Sequence, residues 1–279
     1  MPPSESEASI DALIDLLDLE VIDVDLYRGR SPDTAHQRVF GGQVAAQALV
    51  AAGRTVVSDR PVHSLHAYFL RPGDPSTPIV YRVDSSRDGR SFTTRRVVAT
   101  QRGEQIFVMS ASFQVVEVGL DHQVPMPSVP DPESLPTVRE RIQAAGGRWR
   151  ERWSEFESID LRHVDDDDDP FGSRVWFRAV APLPNDPLLQ VCVLAYASDL
   201  TLLLAALGPH DVPPEQLQLA SLDHALWFHR PFRADEWLLY DQVTPSASGA
   251  RGFATGRIFS IDGRLVASAV QEGLIRPRR

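Results

Sequence analysis

Lysine is absent from this chain, and all 28 basic residues are arginines. That excludes Schiff-base chemistry, covalent attachment of pyridoxal phosphate and a phosphate-loop lysine. Cysteine occurs once, at Cys192, so neither an intramolecular disulfide nor a cysteine-rich metal site can form. Its place in an apolar stretch suits a small core residue better than a nucleophile. No apolar run approaches the roughly 20 residues of a membrane span. The first residues, Met1-Pro-Pro-Ser-Glu-Ser-Glu, are acidic and lack the basic-then-apolar order of a signal peptide, so the expected location is the cytoplasm. Motifs are missing too: no Gly-x-Ser-x-Gly elbow, no His-Glu-x-x-His zinc site, no Gly-x-Gly-x-x-Gly loop and no phosphate loop. No metal or cofactor is expected.

The net charge of −10 argues against a nucleic-acid surface and against a basic membrane-binding face. Hydrophobic content of 43% and charged content of 24% belong to an ordinary globular chain, and 279 residues supply ample core.

Two segments read as buried helices. Residues 40–53 carry no charge and are rich in alanine. Residues 187–207 are apolar on both faces around one carboxylate, Asp199, with Asn185 and Asp186 as N-cap, Pro187 at the first position and Gly208-Pro209 as the stop. A carboxylate in such a helix needs hydrogen-bonding partners or a chemical task.

Each helix is followed by a meander. Strands are expected at 62–70, 79–84, 91–101 and 105–116 in the first half. In the second they are expected at 217–229, 236–243, 252–261 and 265–274, with hairpin turns at Arg87-Asp88-Gly89, Arg102-Gly103 and Asp262-Gly263. Local sequence repeats as well. Ala67-Tyr68-Phe69-Leu70-Arg71-Pro72 matches Leu226-Trp227-Phe228-His229-Arg230-Pro231, and Leu26-Tyr27-Arg28 matches Trp176-Phe177-Arg178. This is duplication of one helix-plus-meander unit. The expected units are 10–120 and 171–279. Between them, a Pro-rich and acidic linker, 121–170, is expected to pack poorly, with a short exposed helix within 138–157 and a solvated acid run at Asp165–Asp169.

Three polar groups stand in apolar settings: Asp199, Ser221 and Gln271. Each alone reads as an ordinary core or strand residue. Together a carboxylate, a hydroxyl and an amide can hold and polarise one water, with the carboxylate accepting its proton. From His36 to Ser58 the first half has neither Asp nor Glu, so its helix has no counterpart of Asp199. It offers Gly41-Gly42 at a helix start instead, either for close packing or for backbone N–H groups, at Gly42 or Gln43, that stabilise an oxyanion.

The sequence resembles the acyl-CoA thioesterase II family. The motifs are Val39-Phe40-Gly41-Gly42-Gln43, His63-Ser64-Leu65-His66-Ala67-Tyr68-Phe69-Leu70-Arg71-Pro72-Gly73, Arg87-Asp88-Gly89-Arg90-Ser91-Phe92, Ser198-Asp199, Leu222 to Phe232 and Val270-Gln271-Glu272-Gly273. The resemblance implies an α+β double hotdog, two long helices each wrapped by an antiparallel sheet. It also implies hydrolysis of fatty acyl-CoA by a water held on Asp199, Ser221 and Gln271, and association into a homo-oligomer. Ser stands where relatives often carry Thr. His63 and His66 belong to the signature without a definite role. For the phosphates of the acyl-CoA substrate, Arg90, Arg95, Arg96, Arg251 and Arg257 are the candidates. Two other readings stand beside this one. A hotdog enoyl-CoA hydratase or dehydratase needs an Asp paired with a His, yet five positions beyond Asp199 stands Leu204. A non-catalytic acyl-CoA binder shares the fold without turnover.

Overall fold

The computed structural model describes residues 4–32, 37–146, 157–165, 169–210 and 212–278. The chain builds two units of the same design. The first contains β2 (Leu26–Gly29), α2 (Gly41–Gly53), β3 (Val62–Phe69), β4 (Ile79–Asp88), β5 (Phe92–Gln101) and β6 (Glu104–Gln114). The second contains β8 (Gly172–Ala179), α4 (Pro187–Ser198), α5 (Leu202–Ala205), β9 (Leu217–Ser221), β10 (Asp223–Phe228), β11 (Leu238–Ser248), β12 (Arg251–Ser260) and β13 (Leu265–Pro277). Ahead of β2 and β8, in the same order in each half, lie α1 (Glu5–Leu17) with β1 (Glu20–Asp23), and α3 (Val138–Ala144) with β7 (Ile159–Val164).

The strands form one antiparallel sheet in the order β1-β2-β4-β5-β6-β3-β10-β13-β12-β11-β8-β7, with β9 added on β13. Read outward from the central β3–β10 pair, both halves have the same order, so the duplication seen in the sequence is also a duplication of topology. The repeated motifs meet at that seam, where Leu65 pairs with Leu226 and Ala67 with His224. Strands alternate cleanly: Thr93, Arg95, Val97, Ala99 and Gln101 of β5 turn inward. α2 and α4 pack together inside the sheet. This is the double hotdog that the resemblance implies.

Glycine makes the helix contact close. A Cβ on Gly42 would lie 2.5 Å from the Tyr196 carbonyl oxygen, and one on Gly53 would lie 2.5 Å from Leu188 Cδ1. The stretch Pro187–Ala205, 19 residues with mean hydropathy 1.8, does have the length and composition of a membrane span, contrary to the reading from run length alone. It is two-thirds buried inside the protein, as a core helix is.

The structure departs from the sequence reading in several places. Helix 187–207 is not continuous: α4 ends at Ser198, and α5 starts after Thr201. The strand 217–229 bends at Leu222, which is stitched by Leu222 N to Glu272 O (2.9 Å), Phe69 N to Leu222 O (2.9 Å) and Glu272 N to Asp223 Oδ1 (2.7 Å). β4 runs through Asp88, so its turn falls at 89–91. α1 was not foreseen. Its Ser4–Glu7 capping box and buried Ile10, Leu13 and Leu17 are ordinary helix signals in a stretch read only for its acidic charge.

The linker packs rather than floats. Met126, Val129 and Leu135 cover Trp176, Trp237, Leu239 and Phe259 on the outer face of the second half of the sheet. Trp176 Nε1 donates to Pro130 O and Trp237 Nε1 to Glu133 Oε1, both at 3.0 Å. β7 extends the sheet beside β8. The expected short helix is α3; the rest of that segment, 147–156, and the centre of the acid run, 166–168, lie outside the described residues.

Gly42→Ala should force α2 and α4 apart. We expect a loss of about 1–3 kcal/mol in unfolding free energy, measured by urea denaturation; an unchanged midpoint would contradict this account of the helix contact.

Candidate active site

Asp199 is the C-cap of α4, with φ −86° and ψ −5°. The break that creates this position is held on both sides. Before it, Ser198 Oγ donates to Ala195 O (3.0 Å) and accepts from His224 Nε2 (2.9 Å). After it, Gln242 Nε2 donates to Thr201 Oγ1 at 2.5 Å. Polar side chains that bond outside the helix compete with its main-chain ladder, and here they end it. The signal was present in the sequence as Ser198, Asp199 and Thr201 together in an apolar run, but their partners on β10 and β11 were not.

The bend at Leu222 places Ser221 beside β13, where it pairs with Gly273, two residues from Gln271. Ser221 Oγ donates to Asp199 Oδ1 (3.1 Å), and Gln271 Nε2 donates to the same oxygen (2.5 Å) and to Ser221 Oγ (3.0 Å). The three residues singled out in the sequence therefore form one closed cluster, from three separate elements. A third donor comes from the other half of the molecule: the Gly42 N–H, in the first turn of α2, bonds the Asp199 carboxylate. A Cβ on Gly41 would stand 2.6 Å from Asp199 Oδ2, so glycine is what lets the helix start approach this closely.

Two effects oppose each other at Asp199. Burial among apolar atoms pushes its pKa up, while the bonds from Gln271, Ser221 and Gly42 pull it down; burial wins, and the value is raised to about 6. The residue keeps a partial opening to solvent. It is thus a carboxylate ionised at neutral pH yet far more basic than usual. Gln271 is fully buried, and its Oε1 has no hydrogen-bond donor among the described residues.

The remaining candidates are scattered. Gly42 is engaged with Asp199, and Gln43 follows it at the same positive helix end. Arg90, Arg96, Arg251 and Arg257 are exposed, the last two paired with Glu272 and Asp241. Arg95 departs from the expectation of a phosphate ligand. It points inward, with its guanidinium on Thr55 Oγ1 (2.8 Å), Asp88 Oδ1 (2.8 Å) and three backbone carbonyls. His63 bonds Ser112 Oγ (2.8 Å), and His66 stands edge-on to Trp227. Burial drives the Cys192 thiol far upward, consistent with a core residue. Among the described residues no three His, Cys, Asp or Glu side chains come together as metal ligands would.

The acyl-CoA thioesterase family profile matches residues 167–274, and that of the acyl-CoA thioesterase N-terminal domain matches residues 30–114. Acyl-CoA thioesterase 2 of Haemophilus influenzae is 42% identical over 280 residues, 95% of this chain and 96% of that protein. The chain belongs to the acyl-CoA thioesterase family. Among solved structures, the acyl-CoA thioesterase II TesB2 of Mycobacterium marinum aligns with a TM-score of 0.83 at 48% identity, over 96% of this chain and 98% of that one. A hot dog fold protein of Alicyclobacillus acidocaldarius aligns at 0.79 with 20% identity over 96% of this chain and 99% of that one, a likeness of fold alone. The two thioesterase profiles each fall on one helix-and-sheet unit, and the Asp199 cluster draws on both.

Because burial raises the folded pKa of Asp199 above the ordinary 3.8, the folded state holds this proton more tightly than the unfolded chain does. That contribution to stability is present below pH 3.8 and lost as pH rises through about 6. Asp199→Asn removes the dependence. Its stability relative to wild type should increase by about 2 kcal/mol between pH 4 and pH 7, measured by denaturant unfolding; a constant difference would contradict the shifted pKa.

Proposed function

We propose that this protein hydrolyses fatty acyl-CoA to a free fatty acid and CoA by direct attack of water, with Asp199 as the general base. The observation that carries the reading is the closed Asp199–Ser221–Gln271 cluster around a carboxylate with a pKa near 6. A base of that strength is ionised at neutral pH and still accepts a proton readily.

The roles follow from donors and acceptors. Ser221 and Gln271 both donate to Asp199 Oδ1, which fixes the carboxylate and spends one of its oxygens. Gln271 Oε1 is the unused acceptor of the same amide. A water giving one O–H to the carboxylate and the other to Gln271 Oε1 would satisfy that buried acceptor and aim its lone pair at the thioester carbon. As the C–O bond forms, Asp199 takes the proton. Collapse of the tetrahedral intermediate breaks the C–S bond, and the proton is available to the departing CoA thiolate. The carbonyl oxygen gains charge in this step. With the Gly42 N–H engaged by Asp199, the neighbouring Gln43 N–H is the donor we assign to it, at the positive end of α2. Arg90, Arg96, Arg251 and Arg257 keep exposed guanidinium groups for the CoA phosphates; Arg95, inward and saturated, is left out of this role.

Dehydration chemistry would need a His paired with Asp199. The nearby His224 bonds Ser198 instead, and burial lowers its pKa to about 4, which keeps it neutral.

Asp199→Asn should reduce turnover by about 10²–10⁴-fold in a thiol-release assay while leaving the fold intact. Ser221→Ala and Gln271→Ala should each cost less, and their combination should be non-additive because the three act as one unit. For the wild type, kcat/KM should fall as pH drops below about 6, where the base takes up its proton. Near-normal turnover in Asp199→Asn would overturn the assignment, and hydration of an enoyl-CoA without thiol release would favour the dehydratase reading. Charge reversal at the four exposed arginines should raise KM for acyl-CoA; an unchanged KM would remove them from CoA binding.

A further inference from the structure

A cavity of about 460 Å³, in the size range of small-ligand sites, is lined by residues adjacent in the chain to the Asp199 cluster, though by none of Asp199, Ser221 and Gln271 themselves. Its inner wall is built from immediate chain neighbours of the catalytic groups: Phe40, which precedes Gly41-Gly42, and Leu200, which follows Asp199. Ile159 and Leu161 of β7 and Leu204 of α5 continue the apolar surface. The roof comes from α3, through Val138, and from the first turns of α1.

Its chemistry selects one end of an acyl-CoA. Around the apolar interior stand Glu5, Glu157 and Asp160, with Arg139 already paired to Glu157 at 2.8 Å. Asp160 is likewise paired, to Arg162 at 3.0 Å, so most of the charge around the cavity is matched within the protein, and the apolar interior suits an aliphatic chain. Leu204 supports this, as a large apolar side chain 42% exposed that faces the cavity. We propose that the cavity holds the acyl chain, and that α1 and the linker helix α3 set the chain length the enzyme accepts. The proposal rests on the thioesterase reading for its ligand, but its site is separate from the reacting groups.

Each methylene that enters an apolar site contributes about fourfold in affinity until the space is filled. In a series from butanoyl- to hexadecanoyl-CoA, the wild-type KM should therefore fall by about fourfold per methylene and then level off. Leu204→Trp and Val138→Trp, at partly exposed positions where a larger ring can be carried without unfolding, should move that levelling to shorter chains. They should leave the butanoyl-CoA rate within about twofold of wild type and lose about tenfold or more on the longest substrates. Hexadecanoate binding by Asp199→Asn, followed by calorimetry, gives a readout free of turnover: adding Leu204→Trp should weaken it by a similar factor. A chain-length profile and hexadecanoate affinity unchanged by both tryptophans, or an equal loss on short and long substrates, would overturn the cavity assignment. A wild type that releases no thiol from any acyl-CoA would overturn the thioesterase reading instead, and the hexadecanoate measurement would still decide the cavity.

Discussion

A carboxylate surrounded by apolar side chains is stable only if the fold brings donors to it, and much of this structure serves that demand at Asp199. The donors come from three directions: the start of α2, the bent strand at Ser221 and the middle of β13. Each depends on a local irregularity. The approach of α2 needs Gly41 and Gly42. Ser221 reaches the site through the bend at Leu222, and Asp199 itself through the break in its helix, held by His224 and Gln242. Even so, the bonds fall short of offsetting desolvation, and the pKa stays high. The residual imbalance is what suits the group to the general-base role we propose for it.

The two halves show what duplication followed by divergence does to such a site. α2 carries Gln43 and Gln47 where α4 leads to a carboxylate. Gln47 is satisfied by Leu16 O (2.7 Å), Arg30 O (3.0 Å) and the Tyr81 hydroxyl (2.7 Å), and Gln43 by Arg30 O and Ser31 Oγ (both 3.1 Å). Neutral amides bonded in this way bear no charge to desolvate, and they tie the first helix to α1 and to the segment after β2. The first unit thus supplies a fixed helix N-terminus, and the second supplies the carboxylate that we propose as the base. Neither has a complete site alone.

The parts legible in the sequence were those written in local pattern. Uncharged, alanine-rich 40–53 could only be a buried helix, and Asp186-Pro187 marked the start of the second. The match of Ala67–Pro72 with Leu226–Pro231 located the two strands that join the halves. The Asp199–Ser221–Gln271 cluster was reachable because a lone carboxylate in an apolar helix is costly enough to be informative. The illegible parts were those decided by distant partners. The helix break depends on His224 and Gln242 from other strands. Arg95 is inward because Thr55 and Asp88 saturate it, which no spacing rule anticipates. The linker read as unpacked because prolines hide periodicity, while its few apolar residues, Met126, Val129 and Leu135, cover two tryptophans of the sheet.

The central claim is that water, not the Asp199 carboxylate, attacks the thioester. A single turnover with enzyme in excess over acyl-CoA, run in water enriched in a heavy oxygen isotope, tests it most directly. Direct attack by a water held on Asp199 places the label in the fatty acid and leaves the peptide containing Asp199 unlabelled. Label in that peptide, with unlabelled fatty acid from the first turnover, would mean that the carboxylate itself had formed an acyl-enzyme, and would contradict the account.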